Sequence, residues 1–442
     1  MKAANAVMAI SIVLGVSGAS MAQEGGLQAD LRREGQELSS SCDALNPKAL
    51  AGCAQVLFTG KPLHIAVESF APGNGVGFGL GFHEEHNTAR WRFSVDSVAD
   101  ASVNASWRAG VYGKAVLTGK KKIIVVTETT DTTPAPAAAL DLRRPTFNFL
   151  AETITLNQLA FYGLGPLTAK TDRTFYGMDH RYVGANAVIP LRFGFSVMGE
   201  LAGRWFGARG RHGQNSPSIE EAFSAATAPG LGGVEGFLQT GEGVGFDHGF
   251  GRRLEVSYSA KLQQFHATDV SAFSFRRFTA DGNHRFPWLR TRTAKNGNKT
   301  TDEVGSISLG GTLIESIAGA GHVVPFYLQP TLGGTDINHA RRLSSYPDYR
   351  FRAPNLWLSR ATVEHIIKGP LGVIGWAEAG KVALRRDDLD FTHVRHSFAV
   401  GLTAKAGNFP FLSFVFSWGG TEGTHTIVDV QGLGPAKGPS LY

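Results

Sequence analysis

Three segments of this sequence gather side chains that could do chemistry. His83-Glu84-Glu85-His86 puts four possible metal ligands in a row. A zinc site of the H-E-x-x-H kind needs both histidines on one helix face. Here the order is H-E-E-H with no helical pattern around it, which predicts a solvated hairpin loop. Gly73-Asn74-Gly75-Val76-Gly77-Phe78-Gly79-Leu80-Gly81 is glycine-rich, but a phosphate cradle orders its glycines G-x-G-x-x-G ahead of a helix. A spacing of two instead predicts five glycines on one face of a strand, where a wall must be thin or bend. Cys42 and Cys53 are the only cysteines, and no second pair or nearby His completes a metal or redox site. In an exported chain they are expected to form one disulfide. No G-x-S-x-G elbow is present, although a Ser-His pair assembled by folding keeps a hydrolase reading open. No catalytic residue, metal or cofactor is expected.

The elements that would position such groups follow from composition and patterning. The 442 residues include 55 Gly and 29 Phe, and only 18% are charged, against roughly 25% in an ordinary soluble protein. Such a chain suits strands and turns better than long helices, because Gly weakens a helix. Met1-Lys2, the apolar run from Ala6 to Val16 and the small-x-small site Ser20-Met21-Ala22 read as a secretory signal peptide over 1–22. After it, no stretch reaches the ~20 consecutive apolar residues of a membrane helix. The net charge of +6 is spread in short pairs such as Arg252-Arg253 and Arg341-Arg342. Nucleic-acid binding would need a concentrated stripe; basic loops facing anionic lipid or lining a lumen fit better.

Residues 23–62 are polar and read as a short periplasmic lead-in. From 63 onward the chain alternates. Val103 to Ala115 sets Val103, Ala105, Trp107, Ala109 and Val111 against Asn104, Ser106, Arg108 and Tyr112. Leu191 to Trp205, Leu254 to Leu262, Phe398 to Ala404 and Leu412 to Trp418 repeat the pattern. Period two predicts strands with one apolar and one polar face. Globular strands average about five or six residues, whereas tilted strands of about nine to eleven cross a bilayer. Long alternation with Arg, Lys and Glu on the polar face predicts a transmembrane antiparallel β-barrel with a wet interior and lipid outside. Trp91, Phe175, Tyr176, Trp205, Phe206 and Trp418, near strand ends, are expected in interfacial girdles. Three stretches break the alternation: 127–141, 208–241 with room for one short helix, and 339–355, rich in Arg, Tyr and Pro.

The C-terminal third carries a further arrangement. Leu332-Gly333-Gly334 is followed by Leu343-Ser344-Ser345-Tyr346-Pro347-Asp348-Tyr349-Arg350-Phe351-Arg352-Ala353. A strand near Leu356 to Ile367 follows, then Gly375-Trp376-Ala377-Glu378-Ala379-Gly380-Lys381-Val382, then Arg395-His396-Ser397-Phe398-Ala399-Val400-Gly401-Leu402. This resembles the bacterial surface antigen family, the barrel part of the outer-membrane assembly and two-partner-secretion transporter superfamily. Its members run L-G-G, L-R-G-Y, R-F-R-G, F-V-D-A-G-K-V and then a G-x-G-L strand. Glu68 to Gly75 and Phe161 to Gly165 also look like segments of barrel-only relatives. The resemblance implies a 16-stranded barrel, here expected over 63–431, with a loop folded into the lumen; the extension expected at 432–442 departs from it, since the family commonly ends on Phe at the strand end. Where the family has Arg-Gly this chain has Ser344-Ser345, and Glu378 stands where the family has Asp. The lead-in is too short for the family's periplasmic receptor repeats.

The expected protein is therefore a barrel in the cell outer membrane acting as a pore or translocation-related device of unknown cargo. A lipase-like enzyme and an adhesive surface barrel are the alternatives. Its surroundings would be outer-membrane lipid and lipopolysaccharide, with the barrel assembly machinery needed for its own insertion. The site residues are the lumen loop and its anchor: Arg342, Tyr346, Arg350, Arg352, Glu378 and Gly380. A carboxylate on the lipid face is costly, so Glu378 should point inward. There it is expected to receive hydrogen bonds from Arg350 or Arg352, in place of the family's absent Arg.

Overall fold

The computed structural model describes residues 62–118, 144–213, 216–293, 299–406, 409–420 and 422–430. The signal peptide, the lead-in with Cys42 and Cys53, the 127–141 loop and the 432–442 extension lie outside them.

The alternating segments form β1 (Leu63–Ser69), β2 (Val76–Asn87), β3 (Trp91–Ser102), β4 (Trp107–Leu117), β5 (Thr146–Phe161) and β6 (Thr174–Pro190). There follow β7 (Phe195–Gly210), the one-turn helix α1 (Ile219–Ala222), β8 (Val234–Phe250), β9 (Leu254–Ala267), β10 (Phe275–Thr293) and β11 (Lys299–Ala318). Two short strands, β12 (Thr331–Leu332) and β13 (Phe351–Arg352), precede β14 (Asn355–Lys368), β15 (Leu371–Ala383), β16 (Arg395–Ala406), β17 (Phe409–Gly420) and β18 (Gly423–Val430). All but β12 and β13 join one 16-stranded sheet, each strand antiparallel to its neighbours in chain order. This is an up-and-down meander. Four long connections, 162–173, 211–233, 319–354 and 384–394, fall at one end, here termed the loop end; a fifth, 118–145, joins β4 to β5 at the other. The opposite, turn end carries the tight connections at 88–90, 191–194, 251–253 and 369–370.

The sheet curls into a barrel around the 319–354 loop. Consecutive residues of that loop reach the hairpins at both edges of the sheet. Tyr349 Oη donates to Pro72 O of the β1–β2 turn at 3.2 Å, and Arg350 Nε donates to Glu422 Oε2 of the β17–β18 turn at 2.7 Å. The period-two pattern then sorts the side chains. Phe78, Leu80, Leu201, Val244, Leu309, Val363, Leu402 and Phe414 point outward and are exposed, Leu80 by 66%. Arg108, Glu152, Arg204, Gln263 and Glu378 point inward and are buried. An exposed apolar belt over a polar lumen is the arrangement of a transmembrane β-barrel. Among the described residues, no helix is long and apolar enough to cross a membrane; the strands do so, with their backbone groups paired across the sheet.

Several expectations are corrected. His83 to His86 lies inside β2, not in a hairpin loop. Its alternation puts His83 and Glu85 on the lumenal side, where His83 Nδ1 sits 2.6 Å from Asp96 Oδ1 and Nε2 sits 3.1 Å from Glu85 Oε1. Of the five glycines, Gly77, Gly79 and Gly81 share the inner face of β2. A Cβ at Gly81 would meet the His64 ring at 2.3 Å and one at Gly79 the Ala99 carbonyl at 1.9 Å. Gly73 and Gly75 belong to the preceding turn at positive φ. The Val103 run begins in the β3–β4 turn, with Ala105 at φ 61°, and the Leu191 run begins in the β6–β7 turn, with Phe193 at φ 61°. Tyr176 and Phe206 are not girdle residues, because both rings are buried in the lumen; Trp205 and Trp418 do face outward, 44% and 40% exposed.

The lumenal loop as candidate functional site

Residues 319–354 enter the lumen because their apolar side chains find apolar inner faces there. Phe326-Tyr327-Leu328 forms a single 3-10 turn, wholly buried at the loop end. The Phe326 ring meets Phe161 at 5.1 Å and Tyr176 at 5.0 Å between centroids, and Tyr327 stacks on Phe206 at 5.2 Å. Together with Phe70, Leu156, Ile219, Phe237, Phe265 and Phe275 these residues form one buried cluster across the loop end. Such ring pairs favour edge and offset contacts, each worth about 0.5–1.5 kcal/mol beyond burial. Arg277 Nη2 of β10 caps the turn by donating to Leu328 O at 2.6 Å.

Beyond this turn, β12 and β13 pair to form a two-stranded stem. Leu332, Leu343, Tyr346 and Phe351 pack on the inner residues Ile314, Leu356, Leu358 and Val382 of β11, β14 and β15. Gly380 faces this stem, and a Cβ there would meet Trp357 O at 2.8 Å and Leu332 Cδ1 at 3.4 Å. Its missing side chain lets the stem lie against the wall. Gly420 does the same for Tyr346, whose ring would lie 2.8 Å from a Cβ at that position. Within the tip, Gly333 at φ 109° fits where a Cβ would meet Arg350 Cβ at 2.5 Å. Burial pushes the Asp348 carboxyl up from the usual carboxylate range, and Asp348 Oδ1 accepts from Thr335 N at 2.7 Å.

Four strands hold the tip. Glu378 of β15 accepts from Ser344 N at 2.7 Å and Ser344 Oγ at 2.9 Å. Its other oxygen accepts from Arg360 Nε of β14 at 3.0 Å and also pairs with Arg360 Nη2. Arg360 further donates to the Arg341 carbonyl. Trp376 Nε1 donates to Ser344 Oγ at 3.0 Å, Ser417 Oγ of β17 to Ser344 O at 2.7 Å, and Ser345 N to Ser397 Oγ of β16 at 2.8 Å. Hydrogen bonds to a charged carboxylate are the strong ones, and Glu378 is fully paired while buried.

The expected partnership of Glu378 with Arg350 or Arg352 is therefore not formed. Glu378 does point inward, but its arginine is Arg360 of the neighbouring strand. Register explains this: Arg360 stands directly opposite Glu378 across the β14–β15 ladder. Arg350 instead forks onto Glu422, donates to Thr168 Oγ1 at 2.8 Å and lies over the Tyr162 and Phe351 rings. Arg352 donates to the Phe326 carbonyl at 2.7 Å and the Tyr176 hydroxyl at 3.3 Å, joining stem to aromatic turn. Arg342 pairs with buried Asp336 at 3.2 Å inside the tip. Tyr346 is buried edge-on to Phe351, 5.3 Å between centroids. Arg360, Ser417 and Glu422 complete the site and were not singled out from sequence; Ser344, Trp376 and Ser397, legible there only within the family-like segments, join them. For Arg360 a signal exists, since it sits on the polar face of a strand hairpin-paired to Glu378's own strand.

No family model matches this chain, and no curated protein matches it. Among solved structures it is similar to BamA from Haemophilus ducreyi lacking POTRA domains 1–3, at 10% identity and TM-score 0.48, covering 89% of this chain and 81% of that one. It is similar also to CdiB from Acinetobacter baumannii, at 10% identity and TM-score 0.47, covering 83% of this chain and 59% of that one. CdiB from Escherichia coli matches at 9% identity and TM-score 0.42, covering 87% of this chain and 69% of that one.

Proposed function

We propose that this protein is an outer-membrane barrel without enzymatic activity, plugged at rest, whose 319–354 loop governs a translocation path for a cargo still to be found. Barrels of that membrane put long loops outside and tight turns inside; four of the five long connections and the inserted loop lie at the loop end, so the plug closes the outer half. Lipid and lipopolysaccharide surround the apolar belt, and insertion falls to the barrel assembly machinery. One observation carries the reading: the loop is locked by residues of four strands while its aromatic turn fills the loop end of the lumen. A permanently open diffusion pore would leave that space to water. Ser344, Ser397, Ser417 and Glu378 spend their hydrogen bonds on holding the tip, which supports a structural use of these groups over a hydrolytic one.

The test is conductance of the full chain in planar bilayers. Wild type is expected to stay closed apart from brief openings, and replacement of 324–352, aromatic turn included, by a short Gly-Ser turn is expected to conduct steadily. Equal, steady conductance of both proteins would end the plug reading. Turnover of labelled phospholipid by the purified protein would instead favour the lipase alternative.

A further inference from the structure

Below the loop tip, toward the turn end, the lumen wall and the tip line a half-open cavity of about 510 Å³, within the usual range of about 300–1,000 Å³ for small-molecule sites. Strand register dictates its wall. One row across β9, β10, β11 and β14 reads Ser259, Asp281, Thr312, Leu358. The next reads Ser257, Asn283, Gly310, Arg360. Ser308 and Thr362 stand side by side in the third. The roof is the loop tip, Ala340 to Arg342.

Two features decide what fits. Among the described residues the lining carries Arg341, Arg342 and Arg360 against one acid, Asp281. The acids that pair with Arg342 and Arg360, Asp336 and Glu378, are buried behind them. Arg360 keeps 34% of its side chain accessible, and among the described residues its Nη1 has no hydrogen-bond partner. One side of the cavity is thus an edge of guanidinium donors. The opposite side is hydroxyl, amide and glycine, with Asp281 accepting from Thr312 Oγ1 at 2.7 Å. Among the described residues no aromatic ring lines the space, so a ligand would be held by hydrogen bonds and charge.

We propose that this cavity binds a small polyhydroxylated anion, a sugar acid or sugar phosphate. Its charged group would lie on the Arg360–Arg342 edge, and its hydroxyls on Asp281, Asn283, Ser308 and Ser257. The site goes beyond the plug reading and does not need the loop to move. Guanidinium forks suit carboxylate and phosphate alike, whereas a lone carboxylate and an amide suit neutral hydroxyls.

Titration calorimetry on the full chain in detergent tests this with four probes: D-glucuronate, glucose 6-phosphate, glucose and inorganic phosphate. At least one of the two hydroxylated anions is expected to bind about tenfold or more tightly than both glucose and inorganic phosphate. Gly310→Trp should abolish that binding, because a Cβ at Gly310 has its nearest neighbours at 3.4 and 3.5 Å and a larger side chain projects into the space. Asn283→Leu, which keeps the arginine edge, should weaken whichever hydroxylated anion binds about tenfold and leave inorganic phosphate unchanged. Unboiled gel mobility confirms that each variant is a folded barrel. No heat with either hydroxylated anion, equal affinity for inorganic phosphate, or binding that survives Gly310→Trp in a folded barrel would each overturn the proposal.

Discussion

The two halves of the lumen are built by the same strands, yet they have opposite chemistry. On β7 the inner face carries Phe206 and Ala208 toward the loop end and Glu200 and Ser196 toward the turn end. On β9, Phe265 and Ala267 give way to Lys261, Ser259 and Ser257. On β10, Phe275 gives way to Asp281 and Asn283; on β14, Leu356 and Leu358 give way to Arg360 and Thr362. The apolar half is filled by the inserted loop, and the polar half holds paired charges and the cavity. On these four strands the wall and the loop are matched: the depth at which the inner face turns polar is the depth at which the plug stops. Burying loop side chains any deeper would strand Lys261, Asp281 and Arg360 away from water, which is costly without partners.

Breaking the apolar half should have the largest effect. Phe326→Ala removes the ring that meets Phe161 and Tyr176, and a buried Phe→Ala change costs about 3–5 kcal/mol. The expected outcome is a fall in the temperature at which the folded gel band is lost, with new protease cleavage in 319–354.

Next comes the boundary between the halves. Glu378→Gln leaves Arg360 without its carboxylate and weakens the hold on Ser344, for about 1–3 kcal/mol. Loop protease sensitivity should rise while the barrel itself stays folded. An unchanged digestion pattern would show that packing alone retains the tip. Gly420→Ala forces a methyl into the Tyr346 ring and should cost about 1 kcal/mol, the low end of overpacking, read as a smaller shift of the same band. Ser257→Ala, in the polar half, should change stability by no more than about 0.5 kcal/mol. A loss as large as that of Phe326→Ala would mean the turn-end wall is packed, and the contrast between the halves would fail.

Much of the wall was legible from the sequence. The faces of β4, β7, β9 and β16 follow from alternation, and Glu378 is inward because a carboxylate on the lipid face is costly, even though Trp376 and Ile374 share its face. The resemblance supplied what alternation could not, the 16 strands and the inserted loop. The turns misled where residues at positive φ, Ala105 and Phe193, extended an apparent period by chance. The girdle assignment failed for Tyr176 and Phe206 because an aromatic near a strand end can serve lipid or plug, and only the face it occupies decides which.

What the sequence determined by itself is local: period two along each strand, and hence which side chains meet lipid and which meet the lumen. What only the tertiary structure decided is who meets whom across the lumen. Arg350 finds Glu422 and Arg352 finds the Phe326 carbonyl because curling the sheet brings hairpins far apart in sequence onto one loop. Arg360 finds Glu378 because ladder register sets them opposite one another. Alternation is enforced residue by residue by the geometry of a strand, whereas these pairings exist only once the whole sheet has closed around its loop.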